Sequence, residues 1–355
     1  MKKQRWLSIL FLMCLCLGYL SLPSCGNTPE RNKFVTHSLD YFDTATTITG
    51  YEVERADFDK VSGEILTLLG EYHRLFTIYQ RFDGMENLCT INELTSGEHS
   101  AVTVDRRIID MLLYAKEMYH VTGGRLNIAM GSVLSIWHEY RTEGLREPWN
   151  AKLPSMQELE DAAQHTDIEN LIIDEEKSTV YIADPQMTLD VGAIAKGYAV
   201  EMVAQSLEAQ GITGYVINVG GNVRTVGEKP NGEAWLAGVE NPQEEGEQAY
   251  IAYLQLRGES IVTSGSYQRY YTVGDKNYHH IIDGETLLPA ERYLSVSVVC
   301  RHSGQGDALS TALFCMPLEE GMALVESLPG VEALWVTTDE VQHTSDGFSN
   351  YVTTP

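Results

Sequence analysis

Apolar and polar residues alternate over residues 34–53 as they do along a long strand. A helical spacing follows, with Val61, Ile65, Leu68, Leu69, Tyr72 and Phe76 on one face. Asp105 is placed to cap a second helix carrying Ile108, Met111, Leu112, Ala115, Met118 and Tyr119, with Gly123 to end it. Residues 141–154 are rich in charge, Pro and Gly and read as an exposed connection. Antiparallel pairs are expected at 171–182 and at 270–282, the latter around Gly274-Asp275-Lys276. Between them, a strand end at Asp190 and a glycine turn lead into a helix through Val200, Val203, Ala204 and Leu207, stopping at Gly211. The expected fold class is α+β, with largely antiparallel sheets and packed helices. No G-x-G-x-x-G follows a strand, which argues against a doubly wound dinucleotide fold.

Residues 1–24 stand apart from this pattern. Lys2, Lys3 and Arg5 form a basic start, an apolar run fills 6–22, and Leu22-Pro23-Ser24-Cys25 resembles a bacterial lipobox. The expected layout is a lipoprotein signal peptide at 1–24, a lipidated Cys25, a tether to residue 33 and a body at 34–355, in one domain or two closely joined lobes. The alternative is an uncleaved signal anchor. Cleavage removes three positive charges and no negative ones, taking the net charge from −25 to −28. So acidic a body repels nucleic acid and anionic headgroups, so a membrane location needs the lipid and an anionic ligand needs a local cation. Cys89, Cys300 and Cys315 remain in the mature chain, without CxxC spacing, and indicate neither a disulfide framework nor a zinc site.

Several short segments carry candidate chemistry. Asp190 and Lys196 flank the glycine turn at a helix N-terminus, where free N–H groups and the helix dipole favour phosphate; the same residues also suit capping or solubility. Asp307 and Thr311 are four apart in a helical stretch, so a carboxylate and a hydroxyl share one face; such hard oxygens suit Mg2+, although Asp307 also suits an N-cap. His279 and His280 point to opposite sides of a strand, so one of them is expected to face outward and be idle, and a lone strand His is more often structural or solvated than catalytic.

Taken in order, Thr188-Leu-Asp-Val-Gly-Ala-Ile-Ala-Lys-Gly-Tyr-Ala199, Val216-Ile-Asn-Val-Gly-Gly-Asn222, Ile261-Val-Thr-Ser-Gly-Ser-Tyr267, Tyr278-His-His-Ile-Ile-Asp283 and Asp307-Ala-Leu-Ser-Thr311 resemble the ApbE family of FAD:protein FMN transferases. The resemblance runs from about residue 42 to the C-terminus and implies an ApbE-like two-lobed fold. It implies Mg2+ bound by Asp307, Thr311 and the backbone carbonyl of Ala193. It points to His280 as the base, with Asp283 to orient or supplement it; which group is the base stays open. Tyr79, Arg125, Leu126 and Asn127 match positions that line the FAD site, and Asp190, Lys196 and Ile282 join them through their motifs. Phe42 stands where the family commonly has Met, and an aromatic ring there can still stack. Trp137 lies in a region the family uses, or is simply core. Ser264 lacks a nucleophile elbow and reads as a strand–turn near the ligand. The implied reaction moves FMN from FAD to a Ser or Thr hydroxyl of an acceptor flavoprotein, releasing AMP. The implied acceptors are subunits of membrane or extracytoplasmic electron-transfer systems, and the implied location is the extracytoplasmic face of the cell membrane. Rival readings are an FAD pyrophosphatase giving FMN and AMP, and a non-catalytic FAD-binding lipoprotein.

Overall fold

A computed structural model describes residues 30–97, 100–243 and 249–355. The signal segment, Cys25 and the tether up to residue 29 lie outside the described residues. Among those described, no helix is long and apolar enough to cross a membrane.

The chain opens with β1 (Asn32–Ser38) and β2 (Thr46–Glu52), followed by helices α1 (Arg55–Phe76) and α2 (Leu88–Gly97). Next come β3 (Val102–Thr103), α3 (Arg106–Val121), α4 (Gly131–Arg146), α5 (Met156–Ala163), β4 (Leu171–Asp174) and β5 (Thr179–Ile182). The centre is built from α6 (Ala195–Ala209), β6 (Tyr215–Val219), β7 (Asn222–Val226), β8 (Trp235–Glu240), β9 (Tyr250–Leu256) and β10 (Ser260–Gly265). The hairpin β11 (Tyr270–Val273) and β12 (Lys276–His279) precedes β13 (Tyr293–Cys300), α7 (Ser303–Cys315), α8 (Leu318–Ser327), β14 (Glu332–Thr337), β15 (Gln342–Thr344) and β16 (Val352–Thr353).

An eight-stranded sheet in the order β1-β2-β6-β7-β10-β13-β14-β15 is antiparallel throughout. Smaller antiparallel sheets, β16-β9-β8 and β3-β5-β4, and the β11–β12 pair complete the strands. The α+β expectation is met. Its helices hold too: Asp105 accepts from the Arg107 N–H to cap α3, and Gly211 adopts φ +74° just beyond α6.

Three expectations need correction. Residues 34–53 form two antiparallel strands rather than one, because Phe42 and Asp43 turn the chain at φ +56° and +50° with no Gly or Pro to mark the place. Helix α4 continues to Arg146, so the connection starts only at Glu147. Gly144 does not break that helix; it makes room, since a Cβ there would sit 2.6 Å from the Tyr271 ring. The segment up to Asp190 is extended but joins no sheet: Leu189 pairs with the side chain of Asn92, and the Asp190 N–H donates to the Ile128 carbonyl.

Helices α6 and α7 lie against this sheet and each other, and an ion pair fastens all three. Arg224 on β7 is 1% exposed and donates to Glu201 on α6 at 3.0 Å, to Glu208 at 3.0 Å and to the Gly258 carbonyl at 2.7 Å. Glu201 in turn accepts from the Ser303 N–H, at the start of α7, at 2.8 Å. Burial pushes the Glu201 carboxyl up, but the hydrogen bonds and charge of Arg224, with His302 and the Ser303 N–H, win and hold it below its ordinary range.

Replacing Arg224 by Met strands a buried carboxylate and is expected to cost about 3–5 kcal/mol at neutral pH. A folded-state pKa below the unfolded value gives stability that is present above the ordinary carboxylate range and lost as pH falls through it. Urea unfolding should therefore show a wide gap between wild type and Arg224→Met at pH 7 that narrows toward pH 4. A gap of equal width at both would mean that the pair is not its source.

Candidate active site

Gly197 lets α6 and α7 approach. A Cβ on it would lie 2.4 Å from the Ser303 carbonyl oxygen and 2.5 Å from Asp307 Cβ. The close approach puts the Gly197 N–H 2.9 Å from one Asp307 carboxylate oxygen and the Lys196 ammonium 3.5 Å from the other. Asp307 itself is 4% exposed. One turn on, the Thr311 hydroxyl stands 3.4 Å from that of Ser264, at the end of β10. Asp307 lies inside α7, whose N-cap is His302, so its carboxylate does not cap its own helix and instead accepts from a first-turn N–H of α6.

These groups open onto a cleft of about 510 Å3, within the usual range of about 300–1,000 Å3 for small-molecule sites. Its wall brings together Tyr79, Arg125, Leu126, Asn127, Asp190, Ala193, Lys196, His280, Ile282, Asp307 and Thr311. Phe42 is not on that wall: its N–H donates to His73 Nδ1 at 3.1 Å and its ring packs edge-on against the same imidazole. Asp283 is also off it. At 5% exposure it accepts from the Glu285 N–H and belongs to the turn after β12, with Arg125 4.0 Å away. Asn127 lines the cleft with its amide already engaged, by the Thr166 carbonyl and the Ala129 N–H.

The cleft's lining is chemically mixed. Leu134, Trp137, Tyr271 and Tyr278 give it aromatic, apolar surface suited to a planar ring system. Arg141, Lys196 and Arg269, with Asp43, Asp190 and Asp307, give it charged surface. Arg141 is bonded to His138, and Arg269 donates to the Asp43 carbonyl. Among the described residues neither arginine is paired with a carboxylate. Burial and the neighbouring Arg269 lower the Arg141 pKa, as expected of a cation whose charge is uncompensated. In a chain of net charge −25, these two arginines make a local site for an anion. Reading the sequence misses both, because an isolated Arg looks like any solvated one and Arg141 falls in a stretch taken for a connection.

Two more titratable groups are shifted toward their neutral forms. Burial raises Asp190, and the Gly192 N–H with His138, Lys196 and Arg141 only partly offset it. His280 is exposed to the cleft, and the protein packed around its ring, then the charges of Arg269 and Arg141, lower its pKa, so it is a neutral imidazole at physiological pH. Its Nδ1 lies 3.2 Å from the Arg269 carbonyl oxygen.

The oxygens of Asp307, Thr311 and Ala193 suit a hard divalent cation that completes its shell with water and phosphate. Beside them, the buried Asn222 Oδ1 has no hydrogen-bond partner, and it lies 3.0 Å from where a Gly197 Cβ would be. An acceptor left without a donor at this point fits a nearby cation. Among the described residues no cluster of three or more His, Cys, Asp or Glu side chains offers a softer alternative.

The fold and site define an antiparallel α+β protein whose cleft combines aromatic surface with charged side chains of both signs. The family follows from comparison. The ApbE family model matches residues 42–335. A FAD:protein FMN transferase of Klebsiella pneumoniae (strain 342) is 32% identical, over 74% of this chain and 81% of its own. One from Treponema pallidum (strain Nichols) is 31% identical, over 96% of this chain and 94% of its own. The crystal structure of the ApbE protein from Thermotoga maritima matches with a TM-score of 0.78 at 26% identity, covering 91% of this chain and all of that one. The chain belongs to the ApbE family.

Substituting Ala for Gly197 should force α6 and α7 apart and cost about 1–3 kcal/mol, as overpacking does. Thermal unfolding reads this directly; a variant as stable as wild type would show that the helices do not touch there.

Proposed function

We propose that the protein is a FAD:protein FMN transferase, which moves FMN from FAD, with Mg2+, to a Ser or Thr hydroxyl of an acceptor protein and releases AMP. The observation that carries this reading is the convergence, in one cleft, of hard oxygen ligands, unpaired arginines and a neutral imidazole. Membership of the ApbE family, with relatives that bear the transferase name, supports flavin transfer.

The aromatic surface accommodates a ring of the dinucleotide, and Arg141, Arg269 and Lys196 hold its pyrophosphate. Asp307, Thr311, the Ala193 carbonyl and Asn222 Oδ1 hold Mg2+, which when bound neutralises charge on the pyrophosphate. His280 takes the proton of the acceptor hydroxyl as that oxygen bonds to the phosphorus on the FMN side. The bond from this phosphorus to the bridging oxygen breaks, and the oxygen leaves with AMP. His280 then returns its proton to solvent. A lipidated Cys25 would keep the acidic body on the extracytoplasmic membrane face, on one surface with acceptor subunits of electron-transfer systems.

Intact-mass spectrometry of an acceptor bearing an exposed Thr, incubated with the chain from Gly26 onward, FAD and Mg2+, is expected to show an FMN increment matched by AMP. Asp307→Ala should lower turnover by about a hundredfold or more, since charge neutralisation at the pyrophosphate is lost. Wild-type turnover in that variant would overturn the metal assignment. AMP and free FMN, with the acceptor unmodified, would favour hydrolysis instead.

A further inference from the structure

We propose that Arg269 is a positioning residue that sets the tautomer of His280 and holds it by clamping the Phe42–Asp43 turn. The proposal rests on the reading of His280 as the base. A carbonyl oxygen only accepts, so a neutral His280 whose Nδ1 lies 3.2 Å from the Arg269 carbonyl carries its proton on Nδ1. The lone pair is thereby placed on Nε2, which has no hydrogen-bond partner among the described residues, on an imidazole that lines the cleft. The His280 N–H donates to the same carbonyl at 3.1 Å, so the ring and its backbone are both registered on one oxygen.

That carbonyl is held by the hairpin through the His280 N–H, and the same residue is anchored a second time through its side chain. The Arg269 guanidinium donates to the Asp43 carbonyl at 3.1 Å. Phe42 and Asp43 are consecutive non-glycine residues at positive φ, a conformation that persists only when its surroundings impose it. His73 holds the turn from one side through the Phe42 N–H, at 3.1 Å, and the Gly220 N–H holds the Ala45 carbonyl at 3.0 Å. Arg269 is the tether that joins this turn to the residue on which His280 rests. Without its side chain the turn loses an anchor, residue 269 is held only by its backbone bond to the His280 N–H, and the other tautomer, with the proton on Nε2 and no use as a base there, becomes populated.

Nitrogen-15 NMR of the ligand-free protein, labelled at histidine and assigned against His280→Gln, distinguishes the tautomers. Wild type is expected to be predominantly Nδ1–H. Arg269→Ala and Arg269→Lys should both populate Nε2–H, with kcat for FMN transfer lower by about tenfold to a hundredfold, as for a misplaced catalytic group, beside the rise in KM for FAD that a lost pyrophosphate contact brings. Unchanged tautomers in both Arg269 variants would overturn the proposal. So would an Arg269→Lys enzyme that matches wild type while Arg269→Ala loses only in KM, the mark of a pure charge effect. If His280→Gln transferred FMN at the wild-type rate, the base reading itself would fall, and that result does not depend on the tautomer measurement.

Discussion

The buried Arg224–Glu201 pair decides where everything else in the cleft can be. It joins β7 to α6, and through the Ser303 N–H it sets the start of α7. A buried ion pair is weak evidence for stability, since desolvation can cancel its attraction, but it strongly specifies an arrangement. Here the arrangement is two helices pressed so close that only glycine fits at 197. That contact puts Lys196 and Asp307, 111 residues apart in sequence, within 3.5 Å, and leaves Asn222 Oδ1 beside them without a donor.

Charge in this protein works locally. The surface is acidic enough to repel an anionic ligand at long range, while Arg141 and Arg269 form no ion pair with a carboxylate of the described residues. On the proposed reading the two arginines meet the phosphates, and after the protein packed around the ring they are the largest influence keeping His280 neutral. A site that binds an anion and keeps a nearby base unprotonated needs positive charge for both, and the same two side chains supply it.

Much of the fold is legible in the sequence where periodicity is long and its ends are marked. Helices α1 and α3, the 171–182 pair and the hairpin at Gly274 follow from spacing, caps and turn residues. The turn at Phe42–Asp43 is not legible, because its positive φ values are imposed by His73 and Arg269 from distant parts of the chain. Gly144 misleads in the opposite sense, reading as a breaker where it is a contact with Tyr271. At the site, i and i+4 spacing correctly places Asp307 and Thr311 on one helix face, and the cleft gathers most of the residues singled out by motif. Proximity in sequence fails for Asp283, three residues beyond His280, whose carboxylate is turned into the loop that follows. Arg141 and Arg269 become visible only when the fold brings α4 and the chain before β11 to one wall.

The claim that FMN passes to a hydroxyl rather than to water is tested most directly by running the reaction in heavy-oxygen water with FAD, Mg2+ and an acceptor. Attack by the acceptor hydroxyl forms the new phosphorus–oxygen bond with the acceptor's own oxygen, and AMP keeps the bridging one. The account therefore predicts AMP and modified acceptor free of solvent oxygen. Solvent oxygen in FMN or AMP would show water as the nucleophile and contradict it.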